Sequence, residues 1–383
     1  MGKVTEVPVT PAVLDWAIAE SGYTLSEVAD ATGVELEDLH AWLKGKARPG
    51  VIALRSLAQT LRRPVAAFFL PRPPTVDRPD VRFRHLPGVP SRALTPSERR
   101  YLRKAARLQR MIGWLADELR EPQPGVLTAG LNDEPADVAR VVRDRFGVSV
   151  ESQVTWASAS AAFDAWRAMS EDLGVVVFLF QLGADSCRGF SLWHDRAPVV
   201  AINTAWNDEA RTFTLLHELG HLITRTNSAC VTAPPAAVSG TWDPAERWCE
   251  RFAAAVVVPE SALRELVAAR LGAGATKVTD VATVRWLAGR FRASLRAVAL
   301  RLIELGLSDW NLYRSLPATG DAKRGGGGGK GRDRQEIQED QLGDRAFDLF
   351  KRAVDADVVS RSQALTYLDV PETALDSLGT RSA

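Results

Sequence analysis

Two of the five histidines, His217 and His221, stand four residues apart in the stretch FTLLHELGHLI, with Glu218 beside the first. On an α-helix, residues i and i+4 project from the same face, so a helix here presents two imidazoles to one point. Zinc takes nitrogen, sulfur or oxygen ligands in a tetrahedron, and a catalytic zinc keeps one position for water. Glu218 projects next to His217 and can accept a proton from that water. The pattern therefore points to metal-assisted hydrolysis, and it still needs a third protein ligand. A chance pattern on a buried helix is the competing reading, and the scarcity of histidine in the chain argues against it.

The third ligand is expected to be a carboxylate, because the sequence has no second closely spaced pair of histidines and no closely spaced pair of cysteines. The stretch DPAERWCERFAAAVVVPESAL offers Glu246 and Glu250, again four apart and on one helical face. Spacing does not choose between them: one would ligate, and the other would support the site or remain a solvated charge. Cys249, between the two, is a third ligand candidate, although a Cys at the start of RFAAAVVVP is more often a small buried residue.

These residues need elements to position them. Asn207 or Asp208 can start the histidine helix, and Phe213, Leu216, Gly220 and Ile223 give it an apolar side. Helices are expected over 208–224, about 244–256 and 260–270, with a further helical pair in VATVRWLAGRFRASLRAVALRLIELGL. Before them, GVVVFLFQL reads as a buried strand, and CRGFSLWH and APVVAIN read as shorter strands. Residues 10–70 predict five short helices, with Thr10 and Thr24 as N-caps and Gly22 and Gly33 closing the first two. Thr95 to Glu98 reads as a capping box with Pro96 at the first helical position. The fold class is α+β. The expected organisation is a helical head over 1–72, a linker and helical connector over 73–150, and a body over 151–317. A Gly-rich flexible linker follows over 318–339, then a small helical tail over 340–383 with Ser360 and Pro371 as helix starts.

Composition sets the limits. The chain has 383 residues, 46% of them hydrophobic, enough for two or three packed domains. A net charge of +1 makes the chain as a whole no electrostatic partner for nucleic acid or membrane. Three scattered cysteines, Cys187, Cys230 and Cys249, form no disulfide framework. The N-terminal stretch has no apolar core of signal-peptide length, and no apolar run is long enough to span a bilayer. A cytoplasmic location is the expectation.

RTFTLLHELGHLI followed by ERWCERFAAAVVVP resembles the ImmA/IrrE family of bacterial metallopeptidases, and the head resembles an XRE-type helix-turn-helix domain. The resemblance covers roughly residues 10–310. It implies a zincin-like body with a small β-sheet and a HExxH helix, and a helical, helix-turn-helix-like end to that body. It also implies a zinc- or manganese-dependent endopeptidase that cleaves a regulatory protein, typically a helix-turn-helix repressor, and so derepresses stress or mobile-element genes. In the family pattern the metal glutamate stands three residues before a small residue, which maps the ligand to Glu246 and the small residue to Cys249. The following position is usually Asn, and Glu250 here is a departure that adds a carboxylate one turn from the ligand. Many such enzymes stabilise the oxyanion with Tyr or His. No tyrosine lies between Tyr101 and Tyr313, which leaves His194 and Arg211 as candidates.

The head's surface argues against DNA. From Thr10 to Leu43 there is no Lys or Arg, and Glu35, Glu37 and Asp38 crowd the N-terminus of its third helix, the one that would read bases. DNA affinity rests on neutralising phosphates with basic residues, and base readout needs Arg, Lys, Asn or Gln at the contact points. A protein-docking or dimerising role is the expectation for the head, with DNA binding kept as the less favoured alternative because Lys44, Lys46 and Arg48 follow that helix. Arg285, Arg290, Arg292, Arg296 and Arg301 make a later helical stretch more basic, either as a nucleic-acid contact or as a solvated face. The rival to the peptidase is a DNA-binding regulator or antitoxin-type protein whose metal site is sensory or structural. A purely structural site has no need of Glu218, which favours the peptidase.

Overall fold

The computed structural model describes residues 6–74, 82–84, 94–226, 228–230, 243–272, 277–317, 334–368 and 370. The chain divides into two compact units, one of residues 1–79 and 91–104, the other of 80–90 and 105–383.

The first unit holds α1 (Pro11–Ser21), α2 (Leu25–Thr32), α3 (Leu36–Leu43), α4 (Val51–Thr60) and a 3-10 turn at Val65–Phe69. Local chemistry sets these boundaries. Thr24 accepts from the Glu27 amide while the Glu27 carboxylate accepts from the Thr24 amide at 2.7 Å, a complete capping box. Gly33 ends α2 at φ 67°, the left-handed conformation that glycine adopts without steric cost. Thr10 precedes α1 without a side-chain cap bond, and Pro11 at the first helical position starts that helix instead. Leu14, Val28, Leu39, Trp42, Leu57 and Phe68 close the head's core.

Helix α5 (Pro96–Glu118) opens with the Thr95–Glu98 box. The second unit then builds α6 (Pro135–Phe146), α7 (Val150–Val154) and α8 (Ala159–Asp172). Its sheet has the order β1-β5-β3-β4-β2, from β1 (Arg82–Arg84), β2 (Val176–Phe180), β3 (Gly189–Leu192), β4 (Val199–Asn203) and β5 (Ser228–Cys230). Strands β2 and β4 run parallel from Val176 opposite Val199, while β3 is antiparallel to both β4 and β5. Every residue of β2, β3 and β4 is buried, as strands covered on both faces require. Strands β1 and β5 arise where no strand is expected. At three residues each they have no readable alternation, and only their pairing with each other and with β3 defines them.

Helix α9 (Asp208–Ile223) packs on β3, β4 and α8, and α10 (Pro244–Val257) packs on α9 and α6, followed by α11 (Glu260–Leu271), α12 (Val281–Phe291), α13 (Leu295–Glu304) and α14 (Trp310–Ser315). The core runs through Val177, Leu179, Val200, Ile202, Leu216, Phe252 and Val256. Among the described residues, no helix is long and apolar enough to cross a membrane.

The tail contains α15 (Arg334–Leu342), α16 (Asp344–Asp355) and α17 (Arg361–Leu368). Helix α15 thus starts inside the stretch read as linker, and it packs against β2. Arg167 on α8 pairs with the Asp340 carboxylate at 3.2 Å and donates to the Asp340 carbonyl at 2.8 Å. Arg352 meets Glu121 at 2.6 Å. Gly343, at φ 81°, lies where a Cβ would come within 3.0 Å of Arg167 Nη2 and Val177 O. A tail bound only by its linker would show no such contacts. The Gly-rich residues through 333 and the expected helix start at Pro371 lie outside the described residues.

Candidate metal centre

Helix α9 is capped by Asn207, whose Oδ1 accepts from the Ala210 amide at 2.9 Å, and Asp208 and Glu209 in its first turn suit the helix dipole. Helix α10 starts at Asp243, which accepts from the Ala245 amide at 2.8 Å, with Pro244 at its first position. The two helices meet at Gly220. A Cβ there would lie 3.1 Å from Cys249 Sγ and 3.2 Å from Phe252 Cδ1, so glycine sets how closely α10 approaches. Cys249 is buried against this glycine and is not among the grouped ligand atoms. The close crossing carries Glu246 to the histidines.

One Glu246 oxygen lies 3.2 Å from His217 Nε2 and the other 3.3 Å from His221 Nε2, while the two Nε2 atoms are 3.2 Å apart. Among the described residues, His217, His221 and Glu246 are the group whose ligand atoms all fall within 4.8 Å of one another. Glu250 is half-buried on the same helix and stands outside this group, although its charge reaches His217 and Arg188.

Burial opposes a charge on His217, but the hydrogen bond and charge of Glu246 outweigh it and hold the imidazole pKa up at about 9. Burial likewise opposes the Glu246 carboxylate, and its bonds from His217 and His221 overcome this and hold it well below the usual carboxylate range. Burial pushes Glu218 up, against the neighbouring histidines and a hydrogen bond from Ser191. Glu250 is also pushed up by burial.

The residues fit a metal. Two imidazole nitrogens and a carboxylate form the donor set of a catalytic zinc site. His221 Nδ1 lies 2.8 Å from Thr226 Oγ1, and an Nδ1–H donated there keeps the Nε2 lone pair free, the usual arrangement of a metal-binding histidine. Glu218 is fully buried beside the group. Its Oε2 accepts from Ser191 Oγ at 2.8 Å, and its Oε1 is buried with no hydrogen-bond partner. A buried carboxylate oxygen with no protein partner, next to three converging metal-type donors, fits a site that holds an ion or its water.

Thr226 and Ser191 were missed by sequence reasoning. Both are common polar residues, joined to the histidine helix only by the turn after α9 and by the sheet. The two residues expected to stabilise an oxyanion are engaged elsewhere. His194 Nδ1 accepts from the amides of Arg196 and Ala197 at 3.1 and 3.2 Å, and its ring lies against Gly113. Arg211, in the first half of α9, pairs with Asp208 at 3.0 Å and donates to the Thr204 carbonyl at 2.7 Å.

Residues 170–302 match the family model Peptidase_M78, described as the IrrE N-terminal-like domain. No curated protein matches the chain. The matched segment contains β2 to β4, α9 and α10, and with them His217, Glu218, His221 and Glu246. The match supports the ImmA/IrrE family for this segment, and with it a metallopeptidase-like domain in which His217, His221 and Glu246 form a candidate metal site.

Proposed function

We propose that the protein is a zinc-dependent endopeptidase, with manganese as the alternative metal, that cleaves a regulatory protein of the XRE-type repressor class. The observation that carries this reading is Glu218 Oε1, buried and without a partner, beside the converging His217, His221 and Glu246. Bound by those three, a divalent metal would supply Lewis acidity for the scissile carbonyl and the attacking water. Glu218 Oε1 accepts the proton of that water as its oxygen bonds to the carbonyl carbon. The same atom returns the proton to the amide nitrogen as the C–N bond breaks. Burial, by raising the Glu218 pKa, makes it a better base than a surface carboxylate. The repressor as substrate follows from the family resemblance, and the head, acidic where a DNA reader would be basic, serves as an accessory to the peptidase.

The test is incubation of the zinc-loaded full chain with XRE-type repressors encoded near it, with fragments read by mass spectrometry. Glu218→Gln is expected to keep zinc and lose cleavage by about 10²–10⁴-fold. Undiminished cleavage by that variant would overturn the mechanism. An operator fragment retarded at physiological salt by a chain that cleaves nothing would favour the DNA-binding regulator.

A further inference from the structure

We infer that Ser191 is a positioning residue that fixes the Glu218 carboxylate so that Oε1 is the oxygen presented to the attacking water. The inference rests on the endopeptidase reading and adds to it the part of the fold that aims the base.

A glutamate side chain has three rotatable bonds, so a helix alone does not decide where its two oxygens point. Here Ser191 and Glu218 are each at 0% exposure, so no bulk water competes for the carboxylate. The Ser191 hydroxyl donates to Oε2 at 2.8 Å, and Oε1 is left without a partner. The hydroxyl is held by a rigid support. Ser191 lies opposite Val200 on β4 and opposite Ser228 on β5, so its strand is paired on both sides. Residues i and i+2 of a strand share a face, and Gly189 shares that of Ser191. A Cβ at Gly189 would lie 2.6 Å from Thr214 Cγ2 and 3.5 Å from Glu218 Cγ, so this face of β3 meets α9 directly. Gly189 permits the close approach, and Ser191 uses it to orient the base. A buried carboxylate deprived of that donor keeps its place on the helix and loses a fixed direction.

The test uses the full chain with and without Zn2+. The infrared difference between wild type and Glu218→Gln isolates the Glu218 carboxyl band. In metal-free Ser191→Ala that band is expected to shift and broaden, and in Ser191→Thr, which keeps the hydroxyl, to stay near its wild-type position. Thermal unfolding identifies which variants are folded. Zinc affinity, read by competition with a chromophoric chelator, should change by less than the roughly tenfold loss of a residue that supports a ligand directly. On the cleaved repressor, Ser191→Ala should lower kcat by about 10–100-fold with KM unchanged, and Ser191→Thr should restore most of it. An unmoved Glu218 band in folded Ser191→Ala, or a wild-type kcat, overturns the inference. A shifted band in a chain that binds zinc yet cleaves no repressor upholds the positioning bond and counts against the endopeptidase reading.

Discussion

Helices α9 and α3 both carry polar residues that the sequence makes conspicuous, and they treat them in opposite ways. On α9, His217, Glu218 and His221 are 6%, 0% and 0% exposed. On α3, only Leu39 and Trp42 are buried, while Glu37, Asp38 and His40 face solvent. Burying a polar group without a partner costs several kcal/mol. Helix α9 offsets that cost with contacts from β3, α10 and the turn after it, and it leaves one carboxylate oxygen unmatched. Such a concentration of buried, converging polar atoms locates chemistry. Exposed charges on α3 cost nothing and constrain nothing, so the head has to be judged by its charge alone. That charge is acidic where a DNA reader is basic.

The largest effects should come from breaking the buried side of this contrast. His217→Ala, His221→Ala and Glu246→Ala should each weaken zinc binding by more than the roughly 100-fold that outer contacts produce, read by calorimetry. Glu250→Ala should cost less than about tenfold in the same measurement. Equal damage from the two glutamate variants would show that the ligand set is wrong. Thr226→Val removes the acceptor of His221 Nδ1 and should weaken zinc binding by about 10–100-fold. A wild-type affinity would mean that Thr226 does not fix the ring.

The third effect is pH dependence. The His217 pKa is raised from 6.5 to about 9 in the fold, so the charged imidazole stabilises the metal-free chain fully below 6.5, and that stability is lost as pH rises through about 9. The metal-free Tm should therefore fall across this window, while the His217→Ala chain shows no such component. The smallest effect tests the exposed side. Replacing Glu37 and Asp38 with lysine should leave the head folded, since both side chains face solvent. It should also give the head a duplex affinity that falls with salt, with a log–log slope steeper by about 0.9 for each phosphate gained. Specific operator binding by the unmodified head would break the comparison.

Much of the architecture is legible in the sequence because it depends on near neighbours. The Thr24–Glu27 and Thr95–Glu98 boxes, the glycine stop at Gly33, and the apolar runs of β2 and β4 each lie within a few residues of the elements they define. The short strands β1 and β5 and the docking of α15 on Arg167 are not legible, because each exists only through a partner far away in the chain.

The site divides in the same way. The sequence by itself placed His217, Glu218 and His221 on one helix, because helical periodicity fixes which side chains point together, and its lack of another closely spaced His or Cys pair made a carboxylate the expected third ligand. It left Glu246 and Glu250 equivalent, since both occupy one face of α10, and only the family resemblance preferred the first. Tertiary structure decided the rest. The absence of a side chain at Gly220 lets α10 approach until Glu246 reaches both imidazoles, while Glu250 remains outside the group. The pairing of β3 with its neighbours sets Ser191 against one oxygen of Glu218 and leaves the other unpaired. These contacts depend on distances between segments tens of residues apart, and those distances are set by how the core packs.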